Sequence, residues 1–155
     1  MKLTLLAVGT RMPAWVTSGF EEYRKRLPPE IRLNLRELPL GQKGKSADAR
    51  SRKREAESIR SALPPRDRLV ALDVEGRPYS TEQLANLLAG WQMSGDNYSI
   101  VIGGPDGIDD ALLDAAELRW SLSPLTLPHP LVRVVLAEQL YRAWTINAGH
   151  PYHRS

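Results

Sequence analysis

The chain has 155 residues, of which 42% are hydrophobic and 25% are charged. These proportions are ordinary for a folded globular chain and exclude an intrinsically disordered one. The length fits a single domain over residues 1–155, and no apolar run is long enough to cross a membrane. There is no cysteine, which excludes disulfides, thiolate metal sites and cysteine nucleophiles and suits a cytoplasmic protein.

The net charge is +3, but the charges are unevenly distributed along the chain. Residues 1–70 carry 16 Lys and Arg against 8 Asp and Glu, whereas residues 71–155 carry 5 against 10. The densest basic stretch, residues 43–54, can attract phosphates, which makes nucleic acid a candidate partner. The same stretch can equally be a solvated helix face, since Glu55 and Glu57 lie close by.

Apolar runs alternate with helix-period segments in the first half of the chain, as in an α/β domain. The N-terminal apolar run is too short for a secretory signal and indicates a first strand. The pairs Pro28-Pro29 and Pro64-Pro65 each end a predicted helix. The predicted elements are a strand over 3–8, a helix over 15–27, a strand over 31–35, a loop over 41–45, a helix over 47–63 and a strand over 69–72.

The second half continues the alternation. It predicts a helix after Ser80, a strand over 98–102, a helix after Asp109, a short strand over 120–122 and a last helix over 131–147. Ser80 and Gln83 form a capping-box pattern. The last helix is apolar on most faces, so it is either deeply enclosed or part of an interface.

A glycine turn, Gly103-Gly104-Pro105-Asp106-Gly107, follows the predicted strand over 98–102 directly. Ligands bind beyond the carboxyl ends of strands in open α/β sheets, and glycine lets the backbone approach such a ligand. The pattern is neither the dinucleotide fingerprint nor a P-loop. By itself it also fits a simple tight turn.

The segment over 122–130 contains three prolines and predicts rigid, irregular chain. Its free backbone groups could bind a flat heteroaromatic ligand such as adenine, or the segment could be a packed crossover loop.

The C-terminal segment over 147–155 combines aromatic, imidazole and guanidinium groups, which can stack on bases and contact phosphates. A frayed terminus is the alternative. The three-residue spacing of His150 and His153 completes no metal-ligand set, so no metal is expected.

Five segments taken together closely resemble the RlmH family, the large-subunit ribosomal RNA pseudouridine N3-methyltransferases of the SPOUT (α/β-knot) class. The resemblance covers essentially the whole chain. The segments are LTLLAVG over 3–9, VIGGPDG over 101–107, SLSPLTLPH over 121–129, the helix over 133–144 and HPYHR over 150–154.

The resemblance implies a parallel sheet with a C-terminal trefoil knot, a homodimer, and S-adenosylmethionine bound in the knot without a metal. The cofactor-binding residues that it implies are Leu72, Gly103, Leu122, Ser123, Pro124, Leu125, Thr126 and Leu127.

N3 of pseudouridine is an imide nitrogen that carries a proton at neutral pH, so a base should remove this proton as the methyl group transfers. His129 is a candidate base because its intrinsic pKa is near neutral. His153 and Arg154 are alternatives for the base or for stabilising an oxyanion, supplied from the other subunit in a composite site. All three residues could instead only hold RNA or structure.

The expected substrate is 23S ribosomal RNA in the assembled ribosome or large subunit, since so small a chain gains from a large preformed surface. No DNA and no membrane partner is expected. Two alternatives stay open, a methyltransferase acting on another RNA such as tRNA, and a noncatalytic ribosome-associated RNA-binding protein.

Overall fold

The computed structural model describes residues 1–41 and 49–154, and in this part of the chain one sheet is flanked by helices. The strands are β1 (Lys2–Val8), β2 (Arg32–Leu38), β3 (Arg68–Pro78), β4 (Tyr98–Ile102) and β5 (Leu118–Ser121). The helices are α1 (Ala14–Arg24), α2 (Ala49–Ala62), α3 (Thr81–Ser94), α4 (Asp110–Ala115) and α5 (His129–Ala148). A short 3-10 helix, Pro151–Arg154, follows α5. No helix among these residues is long and apolar enough to cross a membrane.

The sheet is parallel throughout, with the strand order β2-β1-β4-β3-β5. The predicted α/β class with a parallel sheet is therefore confirmed. All residues of the central strand β4 are buried, as expected for an apolar strand covered on both faces. The carboxyl ends of parallel strands meet at one edge, where open α/β sheets bind ligands. The trefoil knot stays a prediction.

Helices cover both faces of the sheet because successive strand side chains point to opposite faces. Leu3 and Leu5 of β1 pack in a large core with α1, α3 and α5. Leu6 and Val8 of the same strand pack in a smaller core with α2 and α4. Helix α5 thus lies against the sheet between two other helices, which explains why most of its faces are apolar.

Capping side chains begin two helices where the sequence predicts them. The Ser80 hydroxyl accepts a hydrogen bond from the Gln83 amide at 3.1 Å, and the Gln83 side chain accepts one from the Ser80 amide at 2.8 Å. The Asp109 carboxylate accepts a hydrogen bond from the Ala111 amide at 3.2 Å. These bonds satisfy backbone donors that have no partner within the helix.

Several predicted element boundaries were wrong. Helix α1 ends at Arg24 instead of Leu27, and strand β2 continues to Leu38 instead of ending at Leu35. Strand β3 extends to Pro78 instead of ending at Leu72, because after a register shift its second half pairs again with β5. Strand β5 covers Leu118–Ser121, so the predicted strand over 120–122 lies two residues too late. Helix α5 begins at His129 instead of Leu131, since a proline in the first helical turn removes an N–H that has no intrahelical partner anyway.

Candidate active site

A cavity of about 310 Å³ opens at the carboxyl edge of the sheet, between the end of β3, the glycine turn after β4 and the connection from β5 to α5. This volume suits a small-molecule ligand. The predicted cofactor-binding residue Pro124 does not line the cavity. Of the predicted residues, those that line it are Leu72, Gly103, Leu122, Ser123, Leu125, Thr126 and Leu127.

The cavity wall is mainly aliphatic, with ionisable groups at Asp73 and His129. Asp73 was missed in the sequence, although it directly follows Leu72 at the predicted strand end. Within residues 1–41 and 49–154, no cluster of three or more His, Asp or Glu could hold a metal ion. The polar character of the wall therefore comes from one carboxylate, one imidazole, hydroxyl groups and the backbone.

The glycine turn is closed too tightly for side chains. A Cβ at Gly103 would lie 2.7 Å from Ile108 Cγ1 and 2.9 Å from the Gly107 carbonyl oxygen. A Cβ at Gly104 would lie 3.2 Å from both carboxylate oxygens of Glu55. The turn must therefore be glycine for close packing within itself and against α2, which adds a reason to the predicted approach of a ligand.

His129, the first residue of α5, contacts the glycine turn and a buried arginine. Its Nδ1 lies 3.0 Å from the Gly103 carbonyl oxygen. Its Nε2 lies 3.2 Å from Arg133 Nε and 3.1 Å from Arg133 Nη2. Burial first, and then the Arg133 guanidinium, lower the pKa of His129 below its ordinary value. The imidazole is therefore kept neutral at physiological pH.

Arg133 itself was missed in the sequence. It is 1% exposed, forms an ion pair with Glu37 at the end of β2, and donates to the Gly9 carbonyl at 2.8 Å. The only readable signal is its spacing, because residues four apart on a helix face each other and His129 lies four positions earlier. The arginine thus joins the ends of β1 and β2 to the first turn of α5.

The C-terminal segment is packed against the far half of α5, so a frayed terminus is wrong for the 3-10 helix Pro151–Arg154. Tyr152 Oη donates to Glu138 at 3.1 Å, and the Tyr152 ring centroid lies 4.7 Å from that of Tyr141. Burial and the neighbouring Glu138 carboxylate raise the pKa of Tyr152 to about 12. This phenol therefore stays protonated at neutral pH and acts as a donor.

The predicted catalytic residues do not come together within one chain. His129 lines the cavity, whereas His153 and Arg154 do not. Tyr152, just before them, is bonded to Glu138, which lies nine residues beyond His129 and so about 13 Å farther along the helix. His153 Nδ1 is buried and has no hydrogen-bond partner in the part of the chain that the structure describes.

The predicted basic stretch begins in residues 42–48, which lie outside the described residues, and continues in α2. Arg50 and Lys53 are exposed, and neither forms an ion pair within the described part of the chain. The solvated-face interpretation holds for the exposed Glu57 and is wrong for Glu55, which is 3% exposed and accepts from the Gly41 amide. Arg50 and Lys53 of α2 are thus available to an external partner.

Comparison with known proteins identifies the class to which this fold and cavity belong. A family model described as "Predicted SPOUT methyltransferase" matches residues 1–153. A solved structure of a probable methylase family protein from Haemophilus influenzae Rd KW20 shares the fold, with a TM-score of 0.57 and 12% sequence identity. The match covers 95% of this chain and 66% of that one, so the chain spans about two thirds of that protein's length. The class is that of the SPOUT methyltransferases.

Curated relatives narrow the class further. The ribosomal RNA large subunit methyltransferase H of Ectopseudomonas mendocina (strain ymp) is 52% identical over 155 residues, covering 99% of this chain and 100% of that protein. The protein of the same name from Pseudomonas putida (strain GB-1) matches with the same identity and coverage. The chain belongs to the RlmH family of SPOUT methyltransferases, which confirms the resemblance seen in its motifs.

Proposed function

We propose that residues 1–155 form a single domain that transfers a methyl group from S-adenosylmethionine to N3 of a pseudouridine in 23S ribosomal RNA. The observation that carries this proposal is the cavity, which is lined together by seven residues that the family resemblance assigns to the cofactor. The name of the curated relatives supports a large-subunit ribosomal RNA substrate. The pseudouridine and its N3 atom rest on the family resemblance.

The chemistry of the cavity fits this cofactor. Leu72, Leu122 and Leu127 offer apolar contact for an adenine ring, and the backbone of the turn at Gly103 offers polar groups for orientation. The Asp73 carboxylate complements a ligand that carries positive charge. When bound, S-adenosylmethionine supplies a methyl group already activated on a sulfonium.

The protein's own tasks are then alignment of the acceptor and removal of its N3 proton. Of the predicted catalytic residues, we assign His129 to the binding site of the methyl donor, S-adenosylmethionine, because it lines the cavity. We assign His153 as the base and Arg154 as the group that stabilises negative charge on the uracil oxygens. Both come from the segment beside Tyr152, and neither lines the cavity of its own chain.

This assignment requires a homodimer in which one protomer contributes its C-terminal 3-10 helix, Pro151–Arg154 (the tail), to the cavity of the other. Helix α5 supports it, since Leu131, Val134 and Val135 stay only half-buried within one chain. Trp15 at the start of α1 is 56% exposed. Apolar side chains of this kind are typical of a surface that a second copy covers.

The proposed macromolecular partner is the assembled ribosome or its large subunit. Arg50 and Lys53, which are exposed and form no ion pair with any described residue, support contact with RNA phosphates. This partner implies action in the cytoplasm, and neither DNA nor a membrane is part of the proposal.

A methylation assay tests the proposal. Labelled S-adenosylmethionine is supplied with assembled ribosomes, isolated large subunits, free ribosomal RNA or tRNA, and the modified nucleotide is mapped. We expect label at a pseudouridine of ribosomes or large subunits. Label on tRNA would instead support a different RNA substrate. If calorimetry detects no binding at millimolar S-adenosylmethionine, that result would support a noncatalytic RNA-binding protein.

A further inference from the structure

Arg133 is a fully buried cation, and each of its three guanidinium nitrogens has a partner at the carboxyl edge of the sheet. Nε and Nη2 point at His129, Nη2 also donates to the Gly9 carbonyl, and Nη1 pairs with Glu37. A buried charge costs free energy unless it is paired and hydrogen-bonded, so these contacts determine where the side chain lies. The planar guanidinium can satisfy this divergent set of acceptors, whereas an ammonium could not.

These contacts also determine which nitrogen of His129 carries a proton. A guanidinium has donors only, so His129 Nε2 must be the acceptor of the bonds from Arg133. In a neutral imidazole the other nitrogen then carries the proton, and Nδ1 donates to the Gly103 carbonyl at 3.0 Å. Both ring nitrogens are therefore occupied.

A base needs a free lone pair within reach of the proton that it removes. The lone pair of His129 Nε2 accepts from Arg133 and is therefore not free to take a proton. Gly103, to which Nδ1 donates, lines the cavity. The chain of contacts from Glu37 through Arg133 and His129 thus ends on the backbone of a residue in the cavity wall.

We propose that Arg133 is a positioning residue of the methyl-donor site, which keeps His129 as the neutral Nδ1–H tautomer so that it holds the Gly103 carbonyl in place. His129 then supports donor binding and does not take the N3 proton. This inference rests on the proposed function for the identity of the donor. Its first test does not, because the tautomer is a property of the protein alone.

The first experiment measures the nitrogen chemical shifts of His129 in the full-length, ¹⁵N-labelled protein between pH 6 and pH 8. We expect an acceptor-type Nε2 and a protonated Nδ1 across this range. In Arg133→Met, the Nε2 shift should move toward that of a free imidazole. A protonated Nε2 in the wild type overturns the proposal, whether or not S-adenosylmethionine binds.

The second experiment measures S-adenosylmethionine affinity by calorimetry at pH 8 and pH 6. Arg133→Met should weaken binding about tenfold at pH 8, an effect expected when a buried hydrogen-bonded charge is lost. It should weaken binding further at pH 6, because removal of the guanidinium lets the pKa of His129 rise while Glu37 still favours the protonated ring. The protonated ring adds positive charge to the cavity wall, which disfavours a cationic sulfonium. A purely structural loss would be equal at both pH values, and that result contradicts the proposal.

Arg24→Met is the matched control, since it removes an arginine paired with Glu21 on α1 and away from the cavity. If Arg133→Met does not fold, His129→Asn and His129→Leu keep the question open to test. The asparagine amide keeps a hydrogen-bond donor near the position of Nδ1, and leucine has none. We expect His129→Asn to bind S-adenosylmethionine more tightly than His129→Leu, with turnover reduced no more than S-adenosylmethionine affinity. Loss of turnover in His129→Asn at full S-adenosylmethionine affinity would make His129 the base.

Discussion

The two ends of helix α5 differ in the side chains that they carry and in what those side chains contact. The first turn is a buried polar network, in which His129 and Arg133 hold the turn at Gly103 beside the cavity. The far half carries an aromatic cluster, in which Tyr141 and Glu138 hold the C-terminal 3-10 helix. The first end lines a cavity within its own chain, whereas the C-terminal groups held at the second end do not line that cavity.

Under the proposed function, the first end of α5 belongs to the site of the methyl donor and the second end to the site of the acceptor. If the donor is held by the first turn of one protomer and the acceptor by the tail of its partner, changes at the two ends should alter different constants. Changes in the tail should lower turnover, changes at the glycine turn should lower donor affinity, and each should leave the other constant nearly unaltered.

The largest effect is expected at the tail. Arg154→Ala should lower methyl transfer to ribosomes by about a hundredfold or more, the size typical of a lost acid–base or charge-stabilising group. The exposed Arg154 side chain can be removed without disturbing Tyr152, so donor affinity should change less than twofold by calorimetry. Arg66→Ala, an exposed arginine before β3, is the control. Unchanged turnover removes Arg154 from the mechanism.

Mixed dimers sharpen this prediction. A Gly103→Val chain keeps an intact tail, and an Arg154→Ala chain keeps an intact cavity. At an S-adenosylmethionine concentration too low to fill the Gly103→Val cavity, both variants should be nearly inactive. Equal amounts of the two, allowed to exchange subunits, should recover about a quarter of the wild-type activity, because half of the dimers are mixed and each has one complete site. No recovery after verified exchange would place the tail and the cavity of the same chain in one site.

The next effect in size is at the glycine turn. In Gly103→Val the new side chain would meet Ile108 and the Gly107 carbonyl at less than 3 Å, so the turn must shift. An overpacked site costs about 1–3 kcal/mol, which corresponds to a roughly 5- to 150-fold loss of S-adenosylmethionine affinity by calorimetry. Gly90→Ala is the control, because a Cβ there has no atom within 4 Å. Full donor affinity in Gly103→Val would exclude the turn from the donor site.

A smaller effect is expected on helix α2. Arg50→Glu combined with Lys53→Glu should raise KM for ribosomes several-fold and flatten its salt dependence by about one unit per lost phosphate contact. Donor affinity should be unaltered. Arg66→Glu carries the same charge change per residue at the opposite edge of the sheet. If its KM rises equally, the effect belongs to net charge and not to α2.

The smallest effect concerns pH. His129 has a pKa lowered from 6.5, so below pH 6.5 the unfolded chain takes up a proton that the folded chain does not. Stability is therefore complete above this pH and declines below it. Thermal unfolding at pH 7.5 and 5.5 should show a smaller decline in His129→Asn than in the wild type. Equal declines would show that His129 is not responsible.

Local signals predicted much of the fold and one side of the site. Apolar runs located β1 and β4, and capping residues located α3 and α4. The turn at Gly103 and the segment over 122–127 were candidate ligand-binding segments because one follows a strand end and the other is stiffened by proline. A simple tight turn and a packed crossover loop were the alternatives. Both line the same cavity. These features could be predicted because each depends on residues close together in the chain.

The features that could not be predicted depend on distant pairing. Residues 73–78 contain glycine, proline and charged residues, which favour a turn, but they form strand because β5 pairs with them. A Cβ at Gly76 would lie 2.7 Å from the Arg119 carbonyl. Arg133 meets Glu37 across 96 residues, and no local pattern shows that contact. Burial of Glu55 within a charged stretch has the same cause.

The position of β4 has a consequence for synthesis of the chain. Strands β1 and β2 form one parallel pair and β3 and β5 another, and only β4 hydrogen-bonds to both pairs. Until residues 98–102 have left the ribosome, β3 has no partner strand, because both of its neighbours, β4 and β5, follow it in the chain. Such non-local pairing slows folding. A nascent chain stalled before β4 should therefore be much more sensitive to protease than one stalled after the last helix.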